Sequence, residues 1–461
     1  MNRSILILAV IFWAIIFQGC TGFNKGFTPV LPELPEKLVA ASEKPKLEIT
    51  HSLLEMVDDP QAAALVDEAI KNNYNLRATA LRLKSSGLLL SRTKAEALPM
   101  AHAGYSAVRN NLSGGTGSEG AHKVFLSLNW ELDLWGKLSA RYGENEENFR
   151  AEELTYTRTM DSLAARVLQS YFYAKSNKLK LGIHEKRVKL YESIEQTILV
   201  NYQAGLGSLD DVSAAKTKSG LARSGLAVAL DLYSRSVRQL ETLLGRYPKM
   251  ALQFSDKLPD VTLPAASVPA SILENRPDIQ AGLKKFLSAQ KGAVASHMEM
   301  LPNISISANI FRENQKLAKL GAAGTSWGLA GNLLYPVFNA GRLKNQAEAA
   351  DAQAEAAAME YAGIIVQAME EAENTFSKEQ YLKAQLAHLE EAITHAKTSS
   401  QYYESRYRQG LIGIEALHAA RDQELNVMVD IVDVKALRII NRVEMALALG
   451  TGVFKGSGRR I

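Results

Sequence analysis

The chain has 461 residues, 47% of them apolar and 22% charged, with 31 Gly, 13 Pro and a single Cys. That composition suits a large folded core, excludes a disordered or collagen-like chain, and leaves no second cysteine for an internal disulfide. The formal charge of +4 becomes +3 once residues 1–19, which carry only Arg3, are removed. So mild a balance, with no basic stripe interleaved with aromatics, argues against a nucleic-acid partner.

Residues 5–17 form an apolar run behind Arg3. It is shorter than the roughly 20 residues that cross a bilayer, so residues 1–19 read as a secretory signal peptide. Gln18-Gly19-Cys20 follows. The position of Cys20 after a small residue resembles a bacterial lipobox, which would make Cys20 the acylated first residue of a mature lipoprotein. Thr21 in place of Asp resembles lipoproteins sent on to the outer membrane. Phe17 and Gln18 depart from the usual lipobox residues, and an incidental cysteine after an ordinary signal is the competing reading.

Residues 20–61 contain Pro29, Pro32, Pro35, Pro45 and Pro60, which predicts an extended leader. From 62 to 98 the apolar positions Leu65, Ala69, Leu76, Ala80, Leu83 and Leu90 follow a helical spacing that Pro99 ends. The period then becomes two. Val124, Phe125, Leu126, Ser127, Leu128, Asn129 and Trp130 alternate apolar with polar in part, Ile304, Ile306, Ala308 and Ile310 alternate with small polar residues, and Trp327, Leu329, Leu333 and Tyr335 keep the spacing. Strands of about ten residues with one apolar face, one small polar face and aromatics near an end predict a transmembrane β-barrel, although any one strand alone fits a soluble antiparallel sheet equally. Four strands cannot close a barrel, because open edges are not tolerated in lipid, so the chain must oligomerise to span.

Residues 136–205 lack proline, as does everything after Pro336. If helical, the first of these stretches would run roughly 100 Å at 1.5 Å per residue. Gly143, Gly182, Gly220 and Gly225 leave the continuity of these helices open. The two segments turn at related sequences, Asn201-Tyr202-Gln203-Ala204-Gly205-Leu206 and Arg406-Tyr407-Arg408-Gln409-Gly410-Leu411, 205 positions apart. Tyr156 and Tyr361, Gly136 and Gly341, and Leu244-Gly245 and Leu449-Gly450 keep the same offset, while Leu76 and Ile279 and Leu98-Pro99 and Leu301-Pro302 are 203 apart. The chain therefore reads as a duplication. Residues 62–247 form a first repeat of helix, two strands and long helical hairpin, and 278–461 form a second. Between them lies a linker, 248–277, punctuated by Pro248, Pro259, Pro264, Pro269 and Pro277.

Asn129-Trp130-Glu131-Leu132-Asp133-Leu134-Trp135-Gly136-Lys137-Leu138 resembles the strand-to-helix signature of outer-membrane efflux proteins of the TolC/OprM type. Asn275-Arg276-Pro277-Asp278-Ile279, Leu301-Pro302, Tyr335-Pro336-Val337-Phe338-Asn339-Ala340-Gly341-Arg342 and the turn at Gly410 are similar to further motifs of that family, in the same order, over residues 62–455. The resemblance implies a mostly α protein with a transmembrane β-barrel. Four strands per chain would complete a trimeric 12-stranded barrel that continues into a long periplasmic α-helical barrel. It implies a homotrimer that conducts small molecules passively out of the periplasm, docked to a periplasmic adaptor protein and an inner-membrane pump, with the turns Gly205-Leu206 and Gly410-Leu411 as the adaptor-contacting tips. It places Asp211 and Tyr407 at a periplasmic gate, where a Tyr hydroxyl donating to a carboxylate would act as a latch, with Glu415 nearby. Ala416 and Ala419 stand where the family often carries Asp. Against the latch, Asp210 and Asp211 also suit a helix cap.

No Walker loop, nucleophile elbow or Rossmann fingerprint occurs, which argues against an enzyme and calls for no cofactor. His388, Glu391 and His395 share a helical face, and His297-Met298-Glu299-Met300 offers softer ligands, yet a solvated face and packing account for them as well, and no metal site is assigned. A periplasmic adaptor, the alternative function, would have one hairpin rather than two.

Overall fold

The computed structural model describes Leu54 and residues 59–111, 118–255, 257–259 and 270–452. Residues 1–19, read as a signal peptide, and Cys20 with most of the expected leader lie outside the described residues. Among those described, the elements in chain order are α1 (Pro60–Asn72), α2 (Tyr74–Glu96), β1 (Met100–Asn111), β2 (Ser118–Glu131), α3 (Lys137–Gln203) and α4 (Leu209–Leu243). A short 3-10 turn, Ala270–Asn275, then leads into α5 (Pro277–Met298), β3 (Asn303–Asn314), β4 (Thr325–Leu334), α6 (Arg342–Arg408) and α7 (Ile414–Ala448). Helices α3 and α6 have 67 residues each, and α4 and α7 have 35 each.

One expected helix is two. The helix read over 62–98 breaks at Asn73, which takes extended backbone with ψ 123°. Its side-chain oxygen accepts from the N–H groups of Asn75 and Leu76, at 3.0 and 3.1 Å, and so caps α2. The glycines that left helix continuity open do not interrupt it: α3 runs through Gly143 and Gly182, and α4 through Gly220 and Gly225. Gly143 earns its place by closeness, since a Cβ there would come within 2.9 Å of the Lys291 side chain.

Two compact units are present. One contains Leu81–Leu154 and Gln280–Ile364, and so holds the strands. The other contains Thr155–Ile279, Ile365–Ile461 and residues 59–80.

In the first unit the strands form an antiparallel sheet in the order β1-β2-β3-β4. Register puts Leu126 opposite Ile310, Leu128 opposite Ala308 and Trp130 opposite Ile306, and continues with Ala308 opposite Leu329 and Ile310 opposite Trp327. One face is therefore a continuous apolar surface. Its members are exposed in the single chain, Trp327 to 78% and Leu329 to 69%. The other face carries Ser127, Asn129, Ser305, Ser307, Asn309 and Asn332. Such alternation is what a sheet with lipid on one side and water on the other requires. The Trp130 and Trp135 indoles, donating to the carbonyls of Ala97 and Pro302 at 3.0 and 2.6 Å, fasten the strand ends to the helix ends beside them.

In the second unit the main core gathers α1 and the start of α2 (Leu65, Val66, Leu76), the middle of α3 (Val167, Leu168, Tyr171, Phe172) and the ends of α4 and α7 (Leu240, Val443). Lys175, 2% exposed, is held in it by Asp59 at 3.2 Å, with the Tyr171 hydroxyl donating to the same carboxylate at 2.9 Å. A buried cation needs such partners.

Candidate functional site

Both hairpins turn by the same device. Gly205 and Gly410 adopt φ of 79° and 71°, the left-handed conformation that ends a helix and that favours glycine. In the first turn the N–H of Gly205 donates to the Tyr202 carbonyl at 3.0 Å and that of Leu206 to Asn201 at 2.8 Å. In the second, Gly410 donates to Tyr407 at 2.9 Å and Leu411 to Arg406 at 3.0 Å. A Cβ at either glycine would meet nothing within 4 Å, so conformation rather than space demands it. Leu206 and Leu411 are left 80% and 54% exposed.

Beyond the turns the two tips differ. Ser208 and Asp211 close a capping box at the start of α4. The Ser208 hydroxyl accepts from the Asp211 N–H at 3.1 Å, and the Asp211 carboxylate accepts from the Ser208 N–H at 3.0 Å and from its hydroxyl at 2.7 Å. The Ser208 hydroxyl, more than any other cause, holds the Asp211 carboxyl below its ordinary value. Helix α7 starts behind Gly413 with no side-chain cap, and exposed Glu415 is the acid of its first turn. Tyr407 is half-buried, with its carbonyl taken by Gly410. Within one chain Asp211 thus serves α4 as its cap.

Below the second tip Arg421 pairs with Glu404 of α6 and, at 3.3 Å, with Glu424, while Arg408 reaches Glu404 at 2.6 Å. Further down, His184, Arg187 and Tyr191 of α3, Lys218 of α4 and Asp422 and Asn426 of α7 surround a pocket. Arg187 donates to Asn426 at 2.7 Å, and Lys180 pairs with Asp433 at 2.6 Å, tying α7 to α3. His418, 6% exposed, meets Tyr191 edge-on with ring centres 5.1 Å apart. Burial pushes the His418 imidazole below its ordinary value; the nearby Asp422 carboxylate offsets this only in part.

At the opposite ends of the hairpins, equivalent positions do the same job with different chemistry. Asn73, 7% exposed, donates to the Leu243 carbonyl at the end of α4 at 2.9 Å. Arg276, 203 positions later and 1% exposed, donates to the Ala448 carbonyl at the end of α7 at 3.1 Å. The Arg276 guanidinium also binds Asp278 and Glu371, both at 2.7 Å, and Arg158 stands 3.3 Å from Asp278. Burial pushes the Asp278 carboxyl up, but the Arg276 hydrogen bond and the two cations outweigh it and hold the group below its ordinary value. Gly245 and Gly450, both at φ 74°, pass close to these joints: a Cβ on Gly245 would lie 2.7 Å from the Asn72 carbonyl, and one on Gly450 would lie 3.2 Å from Arg276.

Sequence reasoning missed these joints and the His418 contact. Asn275-Arg276-Pro277-Asp278 had been singled out only as a family motif. His388, Glu391 and His395 are exposed on α6, and His297 faces Asp351 at 3.0 Å. Among the described residues no three His, Cys, Asp or Glu side chains converge as a metal would need.

A family model described as outer membrane efflux protein matches residues 65–246 and 268–451. The chain belongs to the outer membrane efflux protein family. It is 25% identical over 400 residues to the cation efflux system protein CusC of Escherichia coli, with 86% of each chain covered. It is 26% identical over 413 residues to the solvent efflux pump outer membrane protein SrpC of Pseudomonas putida, covering 86% of this chain and 87% of that one. The solved outer-membrane channel OprN superposes with a TM-score of 0.85 at 22% identity, over 94% of this chain and 100% of that one. This outer membrane efflux protein therefore has the fold of an outer-membrane channel, and its place is the outer membrane.

Proposed function

We propose that three copies of this efflux protein assemble into a passive duct that carries small molecules from the periplasm to the outside, coupled to a periplasmic adaptor and an inner-membrane pump. The four-stranded sheet carries the proposal. It has a lipid-type face and a water-type face, yet β1 and β4 leave both edges open. Open edges are not tolerated in a bilayer, and three such sheets joined edge to edge make a closed barrel. The duct performs no catalysis; movement follows the pump. Residues 62–247 and 278–461 act as two repeats, each giving two strands and one hairpin. The turns Gly205-Leu206 and Gly410-Leu411, with their exposed leucines, offer the adaptor its contact. Cys20 carries lipid as the first residue of the mature chain, and mass spectrometry of the mature N-terminus tests that directly.

Asp211, Tyr407 and Glu415 belong to the periplasmic gate. Asp211 caps α4 in its own chain and retains acceptor capacity for a tyrosine hydroxyl of a neighbouring copy. Single-channel recording in a planar bilayer is the test. Tyr407→Phe and Asp211→Ala are each expected to raise basal conductance about tenfold, with the double variant adding little because both remove one bond. Unchanged conductance in Tyr407→Phe, with an Asp211→Ala effect confined to tip stability, would leave Asp211 as a cap alone.

A further inference from the structure

The polar face of the sheet contains an aromatic pair that its water-facing role does not explain. Phe125 of β2 and Phe311 of β3 lie directly opposite each other in register, and Gly104 of β1 lies opposite Phe125. A Cβ on Gly104 would come within 2.5 Å of the tip of the Phe125 ring, so the ring reaches over the β1 backbone at this glycine. Covering a strand glycine with a cross-strand aromatic ring is a stabilising device and accounts for Phe125. It does not account for Phe311. The Phe311 ring has Lys123 Nζ 3.9 Å from its centre, and Lys123 in turn stands 4.0 Å from Glu313. A π face with a carboxylate beside it, already holding an ammonium, is the chemistry that recognises organic cations.

We propose that Phe311, opposite Phe125 in register and flanked by Glu313, is a cargo-contact site for lipophilic organic cations, at which Lys123 is the resident occupant that a passing cation displaces. The site rests on the reading of this face as the lining of the duct, where assembly would repeat it in each copy. An anion would be repelled by Glu313.

The test uses the purified full chain in a planar bilayer, with tetraphenylphosphonium as the probe and tetraphenylborate as the anion of matching shape. Tetraphenylphosphonium is expected to block the current, and Phe311→Ala to weaken the block about fivefold. Phe311→Leu, which keeps apolar bulk but lacks the π face, should behave like Phe311→Ala, and Lys123→Ala should strengthen the block. Equal block in the parent and both Phe311 variants, or equal block by the borate, overturns the site while leaving the duct standing. No current from the parent and none from the Tyr407→Phe chain overturns the duct itself, and the site with it.

Discussion

The two hairpins of this efflux protein share turn and helix lengths but are fastened differently: the first at both its tip and its far end, the second by side chains at its far end alone. In the first, the tip is closed by the Ser208–Asp211 capping box, and the far end is joined through the neutral amide of Asn73 to the Leu243 carbonyl. In the second, the tip begins at uncapped Gly413, and the far end is joined through the buried Arg276 to Ala448, Asp278 and Glu371. A duplicated backbone thus acquires two different sets of end fastenings through a handful of side chains, with no change in its path, and the uncapped tip of the second hairpin is the one expected to fray more readily.

The largest effect that would break this comparison is at the joints. Arg276→Ala removes a buried guanidinium that binds Asp278, Glu371 and the Ala448 carbonyl at once and is expected to cost about 3–5 kcal/mol, whereas Asn73→Ala should cost about 1–3 kcal/mol. Chemical denaturation of the detergent-solubilised protein measures both, and equal costs would remove the asymmetry. Acid sharpens the same contrast. Asp278 is held below its ordinary 3.8, so its contribution is fully present above that value and is lost as pH falls below about 4.

At the tips the expected effects are smaller. Ser208→Ala removes the cap of α4 and should cost about 1 kcal/mol, while Gly413→Ser supplies one to α7 for a gain of a few tenths. Gly413 sits at φ −70°, which a serine adopts without strain. Amide hydrogen exchange should show the second tip opening more readily than the first in the parent, with Gly413→Ser narrowing the gap. Identical exchange at both tips would refute the idea that the missing cap confers mobility.

The smallest effect is at His418. Its imidazole meets the Tyr191 ring of α3 and feels Lys218 of α4 and Glu415 and Asp422 of its own helix, with Arg187 lining the pocket beside it. Burial holds His418 below its ordinary 6.5, so the unfolded chain takes a proton first: stability is present above about pH 6.5 and declines as pH falls below it. His184 is depressed in the same direction, mainly by burial. His418→Gln should flatten the profile of melting temperature against pH between about 7 and 5, and an unaltered profile would show that the contact between α7 and α3 does not respond to acid.

What the sequence determined by itself was everything of short range or strict period. Strand faces follow from alternation at Ile304, Ile306 and Ile310, and the turns follow from glycines that recur at a constant offset. Long helices follow from proline-free stretches, and a cap near Asp210 and Asp211 was legible from local sequence, although the capping residue itself is Ser208, with Asp211 as its partner three positions on. Each of these is decided by bonds and contacts within a turn or a strand pair, so neighbouring residues carry the information. The tertiary structure alone decided the rest. Asn73 breaks an otherwise regular helical pattern by capping its own neighbours, but only folding gave its side-chain amide N–H the Leu243 carbonyl, 170 residues away. Arg276 and its neighbour Asp278 stood in the sequence as part of a family motif, but only folding brought Glu371 and the Ala448 carbonyl to the guanidinium. Tyr191 and His418 face each other only because α7 lies against α3 in one register. Such partners are chosen by how distant helices approach, and the free energy of a buried charge or amide depends on those partners rather than on its neighbours in the chain.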